Sequence, residues 1–252
     1  MDVAFTVGNV GLWDFALVGG IAFVMSIIGG LSGFGIGLVL PAFIAPVVGV
    51  VATIPVMAVA MTFANGSRVW VYRGSLSPPL AGLLLAMALP TAFIGAVIYT
   101  RLPPHIIAGL LGVFLVVSVP LRRLLERRRF TLGRPGLAAV AAGFGLFTGG
   151  MSGTGLFLAS GLMAAGIHGA ALIVTDAVVS TSVNLLKVAV FGGYALLTPD
   201  LVLIGILIGL CTVPGAFVAQ RVMDRLPLKV HIRLMEVLIL GGGLSFLWQA
   251  LR

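Results

Sequence analysis

Two seven-residue stretches carry the strongest chemical signal in the chain. They are Gly29-Gly30-Leu31-Ser32-Gly33-Phe34-Gly35 and Gly149-Gly150-Met151-Ser152-Gly153-Thr154-Gly155. Both keep Gly, Gly, Ser, Gly and Gly at matching positions, and both interrupt an apolar run. Each glycine weakens a helix interior by about 1 kcal/mol relative to alanine, so four in seven residues break a helix. A helix that restarts after the break aims free N–H groups and a partial positive charge at its neighbour. Such an end holds an anion without any charged side chain. Gly30, Ser32, Gly33 and Gly35 are therefore candidate anion contacts, as are Gly150, Ser152, Gly153, Thr154 and Gly155, with the hydroxyls as extra donors. Small residues also let membrane helices pack closely. The duplication of Ser-Gly-x-Gly inside apolar runs favours the site over packing alone.

Asn65 and Asn184 each precede a base by three residues, Arg68 and Lys187. Positions i and i+3 share a helix face, so amide and base can look into one cavity. The competing role is an amide that bridges two helices and a base that marks the membrane interface. Asp176 stands alone in the run Ala170-Ala-Leu-Ile-Val-Thr-Asp-Ala-Val-Val, and Val56-Met57 occupy the matching place earlier in the chain. An intramembrane acid can carry a proton, which makes Asp176 the candidate for coupling and protons the candidate coupling ion. The preferred reading is that a helix starts at Thr175 and that its dipole favours Asp176 in the first turn.

His105, His168 and His231 fall in loops or at segment ends without metal spacing, and Cys211 is the single cysteine. No disulfide framework, metal or cofactor is expected. With no nucleophile–base pair and no paired carboxylates in the apolar runs, an intramembrane enzyme is not expected. No ATP-binding loop is present, which argues against primary pumping by this chain.

The elements that must position these residues are membrane helices. Of 252 residues, 60% are hydrophobic and 9% charged, and the mean hydropathy is +1.21. Soluble domains carry about 25% charged residues, so a soluble core is excluded. A net charge of +8 raises nucleic acid as a partner. The bases sit in short loops between apolar runs, however, where orientation in a bilayer explains them better. Asp2 and Asp14 replace the basic start of a cleavable signal. The expectation is one membrane domain with no soluble appendage.

Ten apolar segments follow: Leu12–Gly30, Ile36–Val48, about Val50–Val71, Pro78–Tyr99, Ile106–Leu121, Gly136–Gly150, Leu156–Ala165, Ala170–Val190, Leu201–Ala219 and Ile232–Leu247. About 20 apolar residues cross the hydrocarbon core, so the short piece after each break reads as a half-helix or a bent one. The pattern repeats. Beyond the two breaks, Asn65-Gly-Ser-Arg68-Val-Trp-Val-Tyr72 aligns with Asn184-Leu-Leu-Lys187-Val-Ala-Val-Phe191. Pro90-Thr-Ala92-Phe93 and Arg101-Leu102-Pro103 align with Pro214-Gly-Ala216-Phe217 and Arg225-Leu226-Pro227. The chain thus divides into a first repeat, 1–121, a basic connector, 122–135, and a second repeat, 136–252.

Five segments per half is odd, so the halves should be inverted. With the Arg122–Arg134 stretch in the cytoplasm, Arg68, Arg73, Arg122, Arg123, Arg127, Arg128, Arg129, Arg134, Arg221, Arg225, Lys229 and Arg233 fall inside. Arg101, Lys187 and Arg252 fall outside. That bias is the one that orients membrane proteins, and it puts both termini outside. The true crossings number six to ten, depending on whether each break is re-entrant. Trp13, Trp70, Tyr72, Tyr99 and Trp248 near segment ends read as interface anchors.

With these residues in view, the chain resembles the sulfite exporter TauE/SafE family of bacterial permeases over nearly its whole length. The resemblance rests on the paired Gly-Gly-x-Ser-Gly-x-Gly breaks, on Pro41 and Pro46, on the polar run ending Tyr72-Arg73-Gly74, and on the Arg-Leu-Pro turns. One departure is Gly161, which stands where Pro41 does in the first half. The resemblance implies a bacterial inner-membrane permease for small sulfur-containing anions such as sulfite, sulfoacetate or other organosulfonates. The expected fold is an all-α polytopic membrane protein of two inverted repeats. The expected function is secondary transport of a small anion by alternating access at a midplane site between the repeats. The alternative is a passive anion channel built on the same helix ends. The partners are the anion, the bilayer and protons, with no nucleic acid; a homo-oligomer is compatible with this reading.

Overall fold

Glycine and proline set where the apolar runs begin and end. The computed structural model describes residues 6–7, 10–32, 35–127, 131–222 and 228–251. Ten helices lie in that range: α1 (Leu12–Ser32), α2 (Gly35–Val48), α3 (Val50–Tyr72), α4 (Pro78–Thr100), α5 (Pro104–Arg127), α6 (Arg134–Gly150), α7 (Gly155–Ala164), α8 (Gly169–Gly193), α9 (Pro199–Val222) and α10 (Leu228–Ala250). They follow the ten apolar segments in order. A short antiparallel pair, Thr6–Val7 with Val10–Gly11, precedes them. Prolines occupy the first turns of α4 and α6, where the missing N–H has no intrahelical partner to lose. Gly49, at φ +84°, separates α2 from α3, a backbone angle that glycine adopts without penalty.

Two boundaries differ from the sequence reading. Helix α5 continues through Arg127, into the basic stretch that was expected to be connector. Helix α8 begins at Gly169, not at Thr175. Gly166 and Gly169, at φ +81° and +61°, make the turn that starts it early. Asp176 is therefore not a first-turn residue but lies two turns into the helix.

The packing joins the halves rather than separating them. Helix α1 packs on α9 and α4 on α6; α3 packs on α9 and α4 on α8; α3 meets α8, and α5 meets α10. Exchanging helices five apart in number turns α1–α9 into α6–α4 and α3–α9 into α8–α4, and returns α3–α8 and α5–α10 to themselves, as an exchange of the two halves would require. The α4–α6 crossing is made through small residues. A Cβ added at Gly145 would stand 2.2 Å from the Ala88 carbonyl oxygen, and one at Gly149 would stand 2.4 Å from that of Ala92. Backbones this close are the small-residue packing of membrane helices.

Four helices among the described residues are long and apolar enough to cross a membrane: Val50–Ser75, with its short 3-10 end, Pro78–Thr100, Pro104–Leu121 and Gly169–Gly193. Large apolar side chains also point outward, among them Phe93, Ile94, Ile98, Val113, Val117, Leu185 and Leu244. Outward faces of that size belong in lipid, where helices satisfy their own backbone. Trp70 and Trp248 are exposed as interface anchors would be. Tyr99 is not: it is buried against Phe191, ring centroids 5.4 Å apart, and its hydroxyl donates to the Val51 carbonyl at 2.9 Å. A buried phenol needs such a partner, and Val51 lies too far back in the chain for local pattern to reveal it.

Candidate functional site

Three charged side chains are buried among the described residues: Arg68, Asp176 and Lys187. Burying an unpaired charge is costly, so each should be held by something. Arg68 and Lys187 are 6% and 1% exposed, which overturns the reading of these bases as interface markers. All three gather where α3, α8 and the second glycine break converge.

A cavity of about 50 Å³ lies at that convergence, several times the ~10–15 Å³ that one water needs. Helix α3 lines it with Met61, Asn65 and Arg68 at spacings of four and three. Helix α8 contributes Asp176, Ser180 and Asn184, one turn apart each. The guanidinium Nη1 of Arg68 donates to Asn65 Oδ1 at 3.4 Å. The amide and base at i and i+3 do share a face, as the spacing predicts.

The second break forms another wall. Met151 to Thr154 run between α6 and α7, and Ser152, Gly153, Thr154 and Gly155 all reach the cavity. Gly153 sits at φ +83°, which an L side chain rarely adopts. Thr148 on α6 and Thr154 join hydroxyl to hydroxyl across the break. The Thr148 hydroxyl also meets the Phe144 carbonyl at 2.6 Å. With that proton committed to Phe144, the Thr154 hydroxyl is the donor in the pair. Helix α7 opens here without a side-chain cap, and Thr154 and Gly155 at its start line the cavity.

Lys187 has a different place. Its ammonium donates to the Met151 carbonyl at 2.9 Å, at the C-terminal end of α6, where a cation is favoured by the dipole. It does not line the cavity. Gly150 also faces elsewhere, against Tyr99 in an apolar groove. Ser32 and Gly33 of the first break lie outside the described side chains, as does the surround of Gly30 and Gly35. The beginning of α2 is nevertheless in place: a Cβ at Gly37 would lie 2.7 Å from the Gly153 nitrogen. The helix leaving the first break thus abuts the backbone of the second.

A family model described as sulfite exporter TauE/SafE matches residues 18–246. The chain belongs to this family. The match contains every cavity residue from Ile36 to Asn184. No curated protein and no solved structure matches the chain significantly. As a TauE/SafE protein it is a membrane transporter of the class that handles sulfur compounds.

Two polar side chains lining the TauE/SafE cavity, Thr148 and Ser180, escape a reading based on the breaks and the duplicated Asn pair. Ser180 had a signal. Asp176, Ser180 and Asn184 recur every four residues, a polar stripe on an otherwise apolar helix. Thr148 had none, since it precedes the break inside α6. Gly161, in the place of Pro41, has a packing reason: a Cβ there would stand 2.6 Å from Val140 Cγ1. Among the described residues no cluster of His, Cys, Asp and Glu could hold a metal ion. His105 and His168 are exposed; the side chain of His231 lies outside those described.

Proposed function

We propose that the protein is a secondary transporter of a small anion, a sulfur oxyanion or organosulfonate of the sulfite or sulfoacetate kind. The anion binds in the cavity between α3, α8 and the second break. One observation carries this reading: residues from both halves, Arg68 and Asn65 from the first and Ser152, Ser180 and Asn184 from the second, line one small buried space. Guanidinium, amide and hydroxyl donors with a helix N-terminus suit an oxyanion. The Thr148–Thr154 contact and the Lys187 bond to Met151 keep the break in shape.

The halves act as inverted repeats, each turning against the other to open the site to one side at a time. The exchange-symmetric helix pairing, the odd number of segments per half and the bias of the bases other than the buried Arg68 and Lys187 support this arrangement. It places the site near the midplane of a bacterial inner membrane. The Arg122–Arg134 stretch then lies in the cytoplasm and both termini outside.

The test is flux of radiolabelled sulfite and a panel of small organosulfonates into proteoliposomes, with an ion gradient imposed. Accumulation of one sulfur oxyanion above its external concentration is expected, and the gradient's collapse should abolish it. Flux that only equilibrates under every ion gradient would make the protein a channel. No flux of any panel member would overturn the substrate class.

A further inference from the structure

We propose that the Asp176 carboxyl is a proton site that competes with the substrate anion for Arg68, so that each anion enters the cavity with one proton. This rests on the anion-site reading above. The cavity is built of donors with one acid among them. Asp176 is 5% exposed, lines the cavity, and its Oδ1 has no hydrogen-bond partner among the described residues. An ionised carboxylate so placed is stable only against a nearby cation, and Arg68 lines the same cavity. A second anion in about 50 Å³ would face that carboxylate at close range. Protonation removes the repulsion and leaves the Arg68 charge unopposed by Asp176 when the substrate arrives. It also turns an acceptor-only carboxylate into an O–H donor that the oxyanion can accept from. The proton comes from a hydronium ion of the bulk: its O–H bond breaks as the O–H bond on Asp176 forms, water is left behind, and no other bond changes.

The surroundings leave Asp176 as the titrating group. Helix α3 carries Arg68 and Tyr72, the turn after it Arg73, α4 Tyr99, and α6 Arg134; α2 and α7 carry no titratable side chain, and α8 itself adds Lys187. Of these, Arg68 alone shares the cavity with Asp176. No residue of Gly29–Gly35 titrates. The matching position in the first half is Met57, which is buried, so the duplication supplies a single proton site and a one-to-one ratio.

The experiment uses the full-length protein in detergent and methanesulfonate, whose sulfonate stays ionised at every pH used. Wild-type affinity should rise about tenfold per pH unit as pH falls, levelling once the carboxyl is protonated in the empty protein. In weakly buffered solution, binding should withdraw one proton per anion. Asp176→Asn, which keeps a neutral donor, should make affinity flat with pH and abolish proton uptake. Affinity flat between about pH 5 and 8 in the wild type, or binding without proton uptake, overturns the coupling and leaves the anion site standing. So does an Asn variant that keeps the wild-type slope. Should that variant fail to fold, the wild-type proton count decides alone. Failure of both methanesulfonate and sulfite to bind at any pH overturns the anion site itself.

Discussion

Gly153→Ala should sharply weaken anion binding, and the structure indicates by how much. Gly153 sits at φ +83°, a region that costs an L residue about 1–2 kcal/mol. The added Cβ would also lie 2.6 Å from Leu38 Cδ2 and 2.8 Å from the Gly37 carbonyl carbon. Leu38 can rotate away, but the Gly37 backbone cannot move without shifting the start of α2. Overpacking of this kind costs about 1–3 kcal/mol. The sum, about 2–5 kcal/mol, falls on the apposition of α2 with the break, which is a cavity wall. At about 1.4 kcal/mol per factor of ten, affinity should drop by roughly thirtyfold to a few thousandfold. Gly166→Ala is the internal control, because Gly166 has φ +81° with nothing within 4 Å of the added Cβ. It carries the backbone strain without the clash, outside the cavity, and should lower the melting temperature without moving affinity. Titration of the purified variants with methanesulfonate at low pH, with melting curves alongside, separates the two effects. A Gly153→Ala protein that folds and binds within about threefold of wild type would refute the claim that the second break shapes the site.

Lys187→Met should release the Met151 carbonyl from its 2.9 Å bond and loosen the break. A hydrogen bond's net contribution of about 1 kcal/mol translates into roughly a fivefold loss of affinity, measured by the same titration; unaltered affinity would make Lys187 irrelevant to the site. Tyr99→Phe removes the hydroxyl bonded to Val51, on a side chain that does not line the cavity. It should lower stability by about 1 kcal/mol, a few degrees of melting temperature, with anion affinity unaffected.

Much of the scaffold was legible because glycine and proline punctuate it. The breaks at Gly29–Gly35 and Gly149–Gly155, the turn at Gly49 and the prolines opening α4 and α6 mark helix ends by backbone chemistry alone. The convergence of Asn65, Arg68 and Asn184 was also readable, since the recurring sequence pattern puts the two amides at matched places. What stayed hidden depends on contacts across the fold. The acceptor for Lys187 lies on another helix's end, and Tyr99 is buried by α3 and α8 rather than by its own neighbours. Asp176 was misplaced for a local reason. The acid looked like a first-turn residue, while the two glycines of positive φ that start α8 stand about two turns or more before it.

The pairing of α1 with α9 and of α4 with α6 has a consequence for biogenesis. Helix α1 leaves the ribosome long before its partner exists. At about 5–20 residues per second, it waits on the order of ten seconds or more for α9 to be synthesised. Through that interval its contact face, including Ser26, which later bonds to the Thr212 carbonyl, must be shielded by lipid, by the insertion machinery or by a passing helix. The first half cannot finish folding when it is made, because α4 too lacks its neighbour until α6 arrives. Truncation after α5 should therefore yield a chain handed to quality control, not a stable half-transporter. A single ancestral half could have completed these same contacts only by assembling with a second copy of itself.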